Sequence, residues 1–152
     1  MMSSDATVRQ FPPDCLLCQI ANGELRVDKL IETDHIVAVM NTREPLSRGH
    51  CVFFPKRHAS TLHEADDRDL SEILLVMKKV ARAIGAEHYN VLQNNGALAH
   101  QTVFHVHFHL IPKWSEAEGL RFGRDLPKGI DQTEITRKIK ERLLPATPAK
   151  GA

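Results

Sequence analysis

The chain carries almost no net charge: 20 Lys and Arg stand against 19 Asp and Glu, leaving +1 with neutral histidine. Bulk electrostatics therefore provide no hold on nucleic acid or on an acidic membrane surface, so any anionic ligand must be bound by a local site. Long apolar runs are missing too. None approaches the roughly 18–20 residues of a membrane span. Met1 to Gln10 has neither a basic stretch nor an apolar one, so no secretory leader is read there and a cytoplasmic setting is expected. Cysteine is sparse, three in 152 residues, which is an odd number for pairing and too few to frame a fold. There is no internal repeat and no break in composition. At this length, with 42% hydrophobic residues, the expectation is one domain with a real core, spanning 14–144 between a flexible arm (1–13) and a disordered tail (145–152).

What the chain does have is histidine, nine in all, three of them in the run His105-Val106-His107-Phe108-His109-Leu110-Ile111. A period of two places side chains on one face of a strand. A strand over about Thr102 to Ile111 would line up the three imidazoles, with Phe104, Val106, Phe108 and Leu110 behind them. A helix would scatter the rings, because two residues turn by about 200°.

The remaining pattern supplies a frame for that strand. Leu16, Leu17 and Ile20 form a short helical stripe closed near Asn22-Gly23. Lys29–Glu32, Ile36–Met40 and His50–Phe54 read as strands, the last stopped by Pro55. From Asp66 to Ile84 the period becomes 3.6, with Leu70, Ile73, Leu74, Met77, Val80, Ala81 and Ile84 on one face, Asp66 as cap and Gly85 beyond the end. Tyr89–Gln93 is a further strand and Asn94-Asn95-Gly96 a turn. Trp114–Lys128 has no period and reads as a long loop that covers a site or reaches a partner subunit. Asp131-x-x-Glu134 starts a last helix ending at Leu144 before Pro145. This order predicts an α+β fold with an antiparallel sheet of about five strands, one long helix packed on it and a shorter C-terminal helix.

Three chemistries fit the alternating histidines: surface decoration, a metal site through His-x-His, and nucleophilic attack on phosphorus by the middle imidazole. Cys15-x-x-Cys18 is half a metal site, with redox or buried-thiol readings open beside it. Cys51 reads as a small buried hydrophobe. His35, His63 and His88 read as solvated, as do Lys56 and Arg57. Trp114 is read as packing or as stacking on a base.

The triplet and the two apolar residues after it resemble the signature of the histidine triad (HIT) family. Gly49-His50, Pro55-Lys56-Arg57-His58, Asn94-Asn95-Gly96 and Gln101-Thr102-Val103-Phe104 resemble family segments in the same order, covering roughly Asp14 to Lys113. The resemblance implies a HIT-like fold and a homodimer that binds a purine nucleoside monophosphate derivative. It implies cleavage at the α-phosphate of nucleoside phosphoramidates, or of related adenylates and guanylates, with no catalytic metal. His107 would be the nucleophile, forming a nucleotidyl-imidazole. His109 and His50 would surround it, Gln101 and Thr102 would contact the phosphate and leaving group, Asn94 an α-phosphate oxygen and Asn41 the ribose hydroxyls. Alternatives are a dinucleoside polyphosphate hydrolase, a metal-dependent hydrolase and a low-turnover nucleotide sensor. The chain departs from the family at His100, where a Gly is usual. A bacterial branch of the family is similar at the cysteines and implies structural zinc on Cys15, Cys18, His58 and His105.

Overall fold

Asp66 accepts the Arg68 backbone N–H at 2.9 Å and so starts the longest helix, which Gly85 ends in the left-handed region at φ +71°. In this computed structural model, which describes residues 11–123 and 129–143, the elements run in the order α1 (Leu16–Ala21), β1 (Lys29–Glu32), β2 (Ile36–Met40), β3 (Cys51–Pro55), α2 (Asp67–Ile84), β4 (Tyr89–Gln93), β5 (Phe108–Pro112) and α3 (Thr133–Leu143). Short 3₁₀ turns lie at Leu62–Glu64 and Ala97–Ala99. The five strands form one antiparallel sheet in the order β1-β2-β3-β5-β4. The α+β class and five-stranded antiparallel sheet therefore agree with the sequence reading.

β2 explains how the sheet carries two cores. Its sequence Ile-Val-Ala-Val-Met is apolar throughout, and its first four residues are buried. Ile36 and Ala38 face one way, into a cluster with Cys51, Phe53, Val106, Phe108 and Leu110 that is closed by Ile73, Val76, Met77 and Val80 of α2. Val37 and Val39 face the other way and pack with Phe54 against Cys15, Leu17, Cys18 and Ile20 of the α1 region. A strand buried on both faces has no reason to alternate polar residues.

Several expectations need correction. The histidine strand is shorter than its alternation suggests: β5 begins at Phe108, so His105 and His107 lie before it, outside any strand. Backbone groups there are committed elsewhere, Val106 N–H to Ala59 O at 2.7 Å and His105 O to the His107 ring at 2.6 Å, and cannot join a ladder. Phe104, assigned to the core face, is 52% exposed. On α2, Leu74 is 56% exposed while Val76 is buried, so the face turned to the sheet includes Val76 and leaves Leu74 out. His35 is half-buried, with its Nδ1 3.4 Å from the buried Asp69 carboxylate, and is not a solvated residue. Lys56 pairs with Glu32 at 2.9 Å, and Arg57, which is exposed as read from the sequence, pairs with Asp66 at 2.6 Å.

The chain separates into two compact units, residues 1–120 and 121–152. In the second, the Thr133 N–H donates to Asp131 at the start of α3, and Glu134, Arg137, Lys138 and Glu141 pair along the helix at spacings of three and four. The arm at 1–10, residues 124–128, Leu144 and the tail fall outside the described residues. Among the described residues no helix is long and apolar enough to cross a membrane.

Candidate active site

His109 is the member of the triplet that sits in a strand, opposite Val52 of β3 and Leu92 of β4. Its Nδ1 lies 3.0 Å from Nε2 of His50, which directly precedes β3. The His107 ring stands edge-on to His109, centroids 4.9 Å apart. Thus the fold joins His50, His107 and His109 from two segments. A cleft of about 840 Å³ opens over them, lined also by Asn41, Asn94, His100 and Thr102.

Hydrogen bonds assign the tautomers, because a carbonyl only accepts and an amide N–H only donates. His107 Nδ1 lies 2.6 Å from His105 O, so Nδ1 carries the proton and Nε2 keeps its lone pair. Leu46 N–H donates to His50 Nδ1 at 3.1 Å, and the Asn41 amide adds a longer contact at 3.4 Å. His50 must then donate through Nε2 to His109 Nδ1, and His109 in turn holds its proton on Nε2. The result is one basic nitrogen on His107 beside one N–H donor on His109. Burial keeps these rings neutral: it lowers His50 and His107, and it pushes His109 down to about 4, with the neighbouring His107 and His50 adding to the shift.

The other expected residues are placed unequally. Asn41 is half-buried at the end of β2 and its side chain also bonds the Glu44 backbone. The Asn94 amide donates to His100 O at 3.4 Å. Gln101 is buried away from the cleft lining: its amide donates to Ser60 O at 2.7 Å and Val103 O at 3.2 Å, and its oxygen accepts from Gly96 N–H at 2.7 Å. It braces the loop that carries Asn94, His100 and Thr102. His100 adopts φ +64°, the one positive φ of a non-glycine residue among those described. The left-handed backbone is a further reason for a Gly there, and it costs a side-chain-bearing residue roughly 1–2 kcal/mol.

Sequence reasoning missed the apolar wall. A second cleft of about 640 Å³ adjoins the first, sharing Leu16, Leu17, Asn41, Arg43 and Val52 with it and adding Ile20 and Val39. The α1 stripe was legible as a core face, but nothing in its period says that part of it lines a cleft.

His105 turns the opposite way. Its Nε2 donates to Pro55 O at 2.8 Å, which leaves the Nδ1 lone pair facing Cys15 Sγ at 3.4 Å and Cys18 Sγ at 3.3 Å. His58 Nδ1 lies 3.3 Å from Cys18 Sγ. The four donor atoms are all within 4.8 Å of one another and could hold a metal ion. Burial pushes the Cys18 thiol up to about 12, helped by Cys15, and lowers His105 to about 4. Cys51 is fully buried on β3, as expected of a small hydrophobe.

Comparison with known proteins matches the HIT domain over residues 22–116. The chain is 49% identical over 109 residues to an adenosine 5'-monophosphoramidase of Schizosaccharomyces pombe, covering 72% of this chain and 81% of that protein. It is 44% identical over 137 residues to the adenosine 5'-monophosphoramidase of Candida albicans, covering 85% and 88%. Among solved structures, the histidine triad nucleotide-binding protein from Candida albicans superposes with a TM-score of 0.76 at 41% identity, over 85% of this chain and 96% of that one. A HIT family member from Bacillus subtilis gives 0.77 at 29% identity, over 88% and 99%. The chain belongs to the HIT domain family.

Proposed function

We propose that this protein hydrolyses nucleoside phosphoramidates at the α-phosphate, through a covalent intermediate on His107. The observation that carries the reading is the 2.6 Å bond from His107 Nδ1 to His105 O, which leaves a lone pair on Nε2 of a ring lining the cleft. A neutral imidazole held in one orientation is a competent nucleophile near neutral pH. Attack by Nε2 forms the P–N bond to His107 and breaks the P–N bond to the leaving amine, which departs after taking up a proton. Water then cleaves the nucleotidyl-imidazolium and restores the ring. His109 Nε2–H and the Asn94 amide donate to the phosphoryl oxygens as charge develops. The Asn41 amide holds ribose hydroxyls, and the adjoining apolar cleft at Leu16, Leu17, Ile20 and Val52 takes a purine. Thr102 contacts the leaving group. Gln101 serves the phosphate by bracing this loop, since a direct contact requires it to give up one of its three loop bonds. The monophosphoramidase names of the fungal relatives favour this substrate class over dinucleoside polyphosphates.

The test is a turnover screen of adenosine phosphoramidates beside dinucleoside polyphosphates, with mass analysis of acid-quenched enzyme. Faster turnover of the phosphoramidates and a nucleotidyl adduct on His107 are expected. Inversion at a chiral α-phosphorothioate would sink the covalent route, because two displacements retain configuration.

We further propose zinc at Cys15, Cys18, His58 and His105. In a tetrahedral site with bonds of about 2.3 Å to sulfur and 2.0–2.1 Å to nitrogen, S···N edges are about 3.5 Å; three S···N separations here are 3.3–3.4 Å, within a set whose four donor atoms lie within 4.8 Å of one another. The Pro55 carbonyl behind His105 presets the ligating nitrogen. Bound zinc would tie α1 to the sheet. The donor set supports this, whereas a bacterial lineage has less behind it: identity to the Bacillus subtilis protein is 31%, against 49% to the fission yeast one.

A homodimer through β4 completes the reading. This strand is a sheet edge with Tyr89 and Val91 about half exposed, and Leu74 and Leu75 of α2 add exposed apolar area. Sedimentation at micromolar concentration distinguishes a dimer from a monomer. A cytoplasmic setting suits a protein whose three cysteines are all free thiols.

A further inference from the structure

The segment after β5 turns back onto the loop between β2 and β3. Gly119 N–H donates to Leu46 O at 2.8 Å, and the Trp114 indole N–H donates to Arg48 O at 2.8 Å. The Glu118 carboxylate accepts from Arg48 N–H at 2.6 Å and from the Arg48 guanidinium at 3.2 Å. Lys113 Nζ in turn holds the carbonyls of Glu118 and Leu120 at 3.2 and 3.4 Å. Gly119 sits at φ +96°, and a Cβ there would lie 3.1 Å from the Pro112 carbonyl oxygen, so a larger residue forces the strap away.

Leu46 is therefore held on both sides. Its carbonyl is fixed by Gly119, and its N–H is the donor that settles the His50 tautomer. If that N–H turned away, His50 could carry its proton on Nδ1 and present a bare Nε2 to His109. His109 would then have to donate through Nδ1, and its Nε2 would offer a lone pair to the cleft where it now offers a hydrogen. A donor beside the phosphoryl oxygens would become an acceptor.

We propose that the strap Trp114–Gly119 is a positioning element of the catalytic site: through Leu46 it sets the proton on His50 and thereby keeps His109 Nε2–H directed to the phosphate. Its catalytic consequence rests on His109 acting as the phosphate donor of the proposed reaction. Glu118, Trp114 and Gly119 act through other groups and touch no reacting atom. Asn41 still contacts His50 Nδ1 at 3.4 Å, so loosening the strap weakens the preference without abolishing it.

The experiment uses the full chain with Gly119→Ala, Glu118→Ala and Glu118→Gln. It reads kcat and KM for adenosine 5'-phosphoramidate together with the imidazole ¹⁵N shifts of His50 and His109, at a pH where both rings are neutral. For Gly119→Ala and Glu118→Ala, kcat should fall about tenfold, as for loss of one hydrogen bond's bias. KM should stay within about twofold, and both rings should move from the Nε2–H form towards a mixture. Glu118→Gln, which keeps an oxygen for Arg48 N–H, should recover most of the loss. If Gly119→Ala does not fold, Glu118→Ala and Trp114→Phe carry the same readouts. Folded variants with wild-type ¹⁵N shifts would overturn the proposal, as would an unchanged kcat. Absence of turnover in the wild-type protein would instead remove the phosphoramidase reading, and the ¹⁵N shifts would still decide whether the strap sets the tautomer.

Discussion

His105 and His107 stand two residues apart and both are buried, yet they present opposite nitrogens. His105 gives its Nε2 proton to Pro55 O and turns Nδ1 to two thiols, whereas His107 gives its Nδ1 proton to His105 O and keeps Nε2 for the cleft. The first ring belongs to a closed set of soft donors and the second to an open, polar cavity. Residue type and burial do not separate these roles. The position of one carbonyl acceptor does.

Breaking each half of the pair should give different losses. His107→Asn removes the nucleophilic nitrogen and should lower turnover by roughly 10⁴-fold or more, as for other nucleophile deletions, with little change in thermal melting. Full activity in this variant would end the nucleophile assignment. Cys18→Ser, on the other side, should reduce bound zinc and lower the melting midpoint by roughly 5–15 °C, the shift expected from losing a few kcal/mol in a chain of this size. Its kcat per folded molecule should stay within about threefold. Metal analysis beside calorimetry checks this, and unchanged melting with unchanged metal content would remove the cluster's structural role.

The pH response sharpens the contrast further. Burial lowers both His50 and His109, the latter to about 4, so the neutral rings persist below the ordinary value of 6.5. The acidic limb of kcat/KM should lie below 6.5, and a limb at or above that value would show that other groups titrate. In the unfolded chain His109 takes up its proton near 6.5, whereas in the folded chain it does so only at about 4. Its contribution to stability is therefore present above 6.5 and is lost as pH falls through that window. Urea titrations across the window test the sign. The smallest effect belongs to His100→Gly. Relief of a left-handed backbone, roughly 1–2 kcal/mol, is offset by about 0.4–1 kcal/mol of extra unfolded-state entropy, so melting should rise by no more than a few degrees. A change in KM across leaving groups would then report the lost imidazole, and an unchanged KM would assign His100 no part in substrate choice.

Much of the frame was legible because local periodicity and burial agree. α1, β1, β2, β4 and α2 follow from apolar spacing, and Asp66 and Gly85 mark the ends of α2 by capping chemistry. The alternation of the histidine run predicts a ladder along its whole length, but alternation shows only which side chains share a face and not which backbone groups find a partner. Only the part from Phe108 onward pairs with β3 and β4. Gln101 showed the same limit: an amide can serve a ligand or a loop, and here its three bonds go to the loop. Trp114, read as packing or stacking, packs under the Arg48 guanidinium and donates its indole N–H to Arg48 O, a bond that its sequence position does not announce.

The amino-acid sequence by itself determined which donors are available: two thiols at a spacing of three, three alternating imidazoles, and a fourth after Gly49. Folding decided which nitrogen of each ring is free, because that depends on where the chain brings each acceptor and donor, from His105 O only two residues from His107 to Pro55 O fifty residues from His105. Pro55 O sets His105 and Leu46 N–H sets His50 and, through it, His109. A neutral imidazole carries one proton on either of two nitrogens, and the residue type by itself does not choose between them.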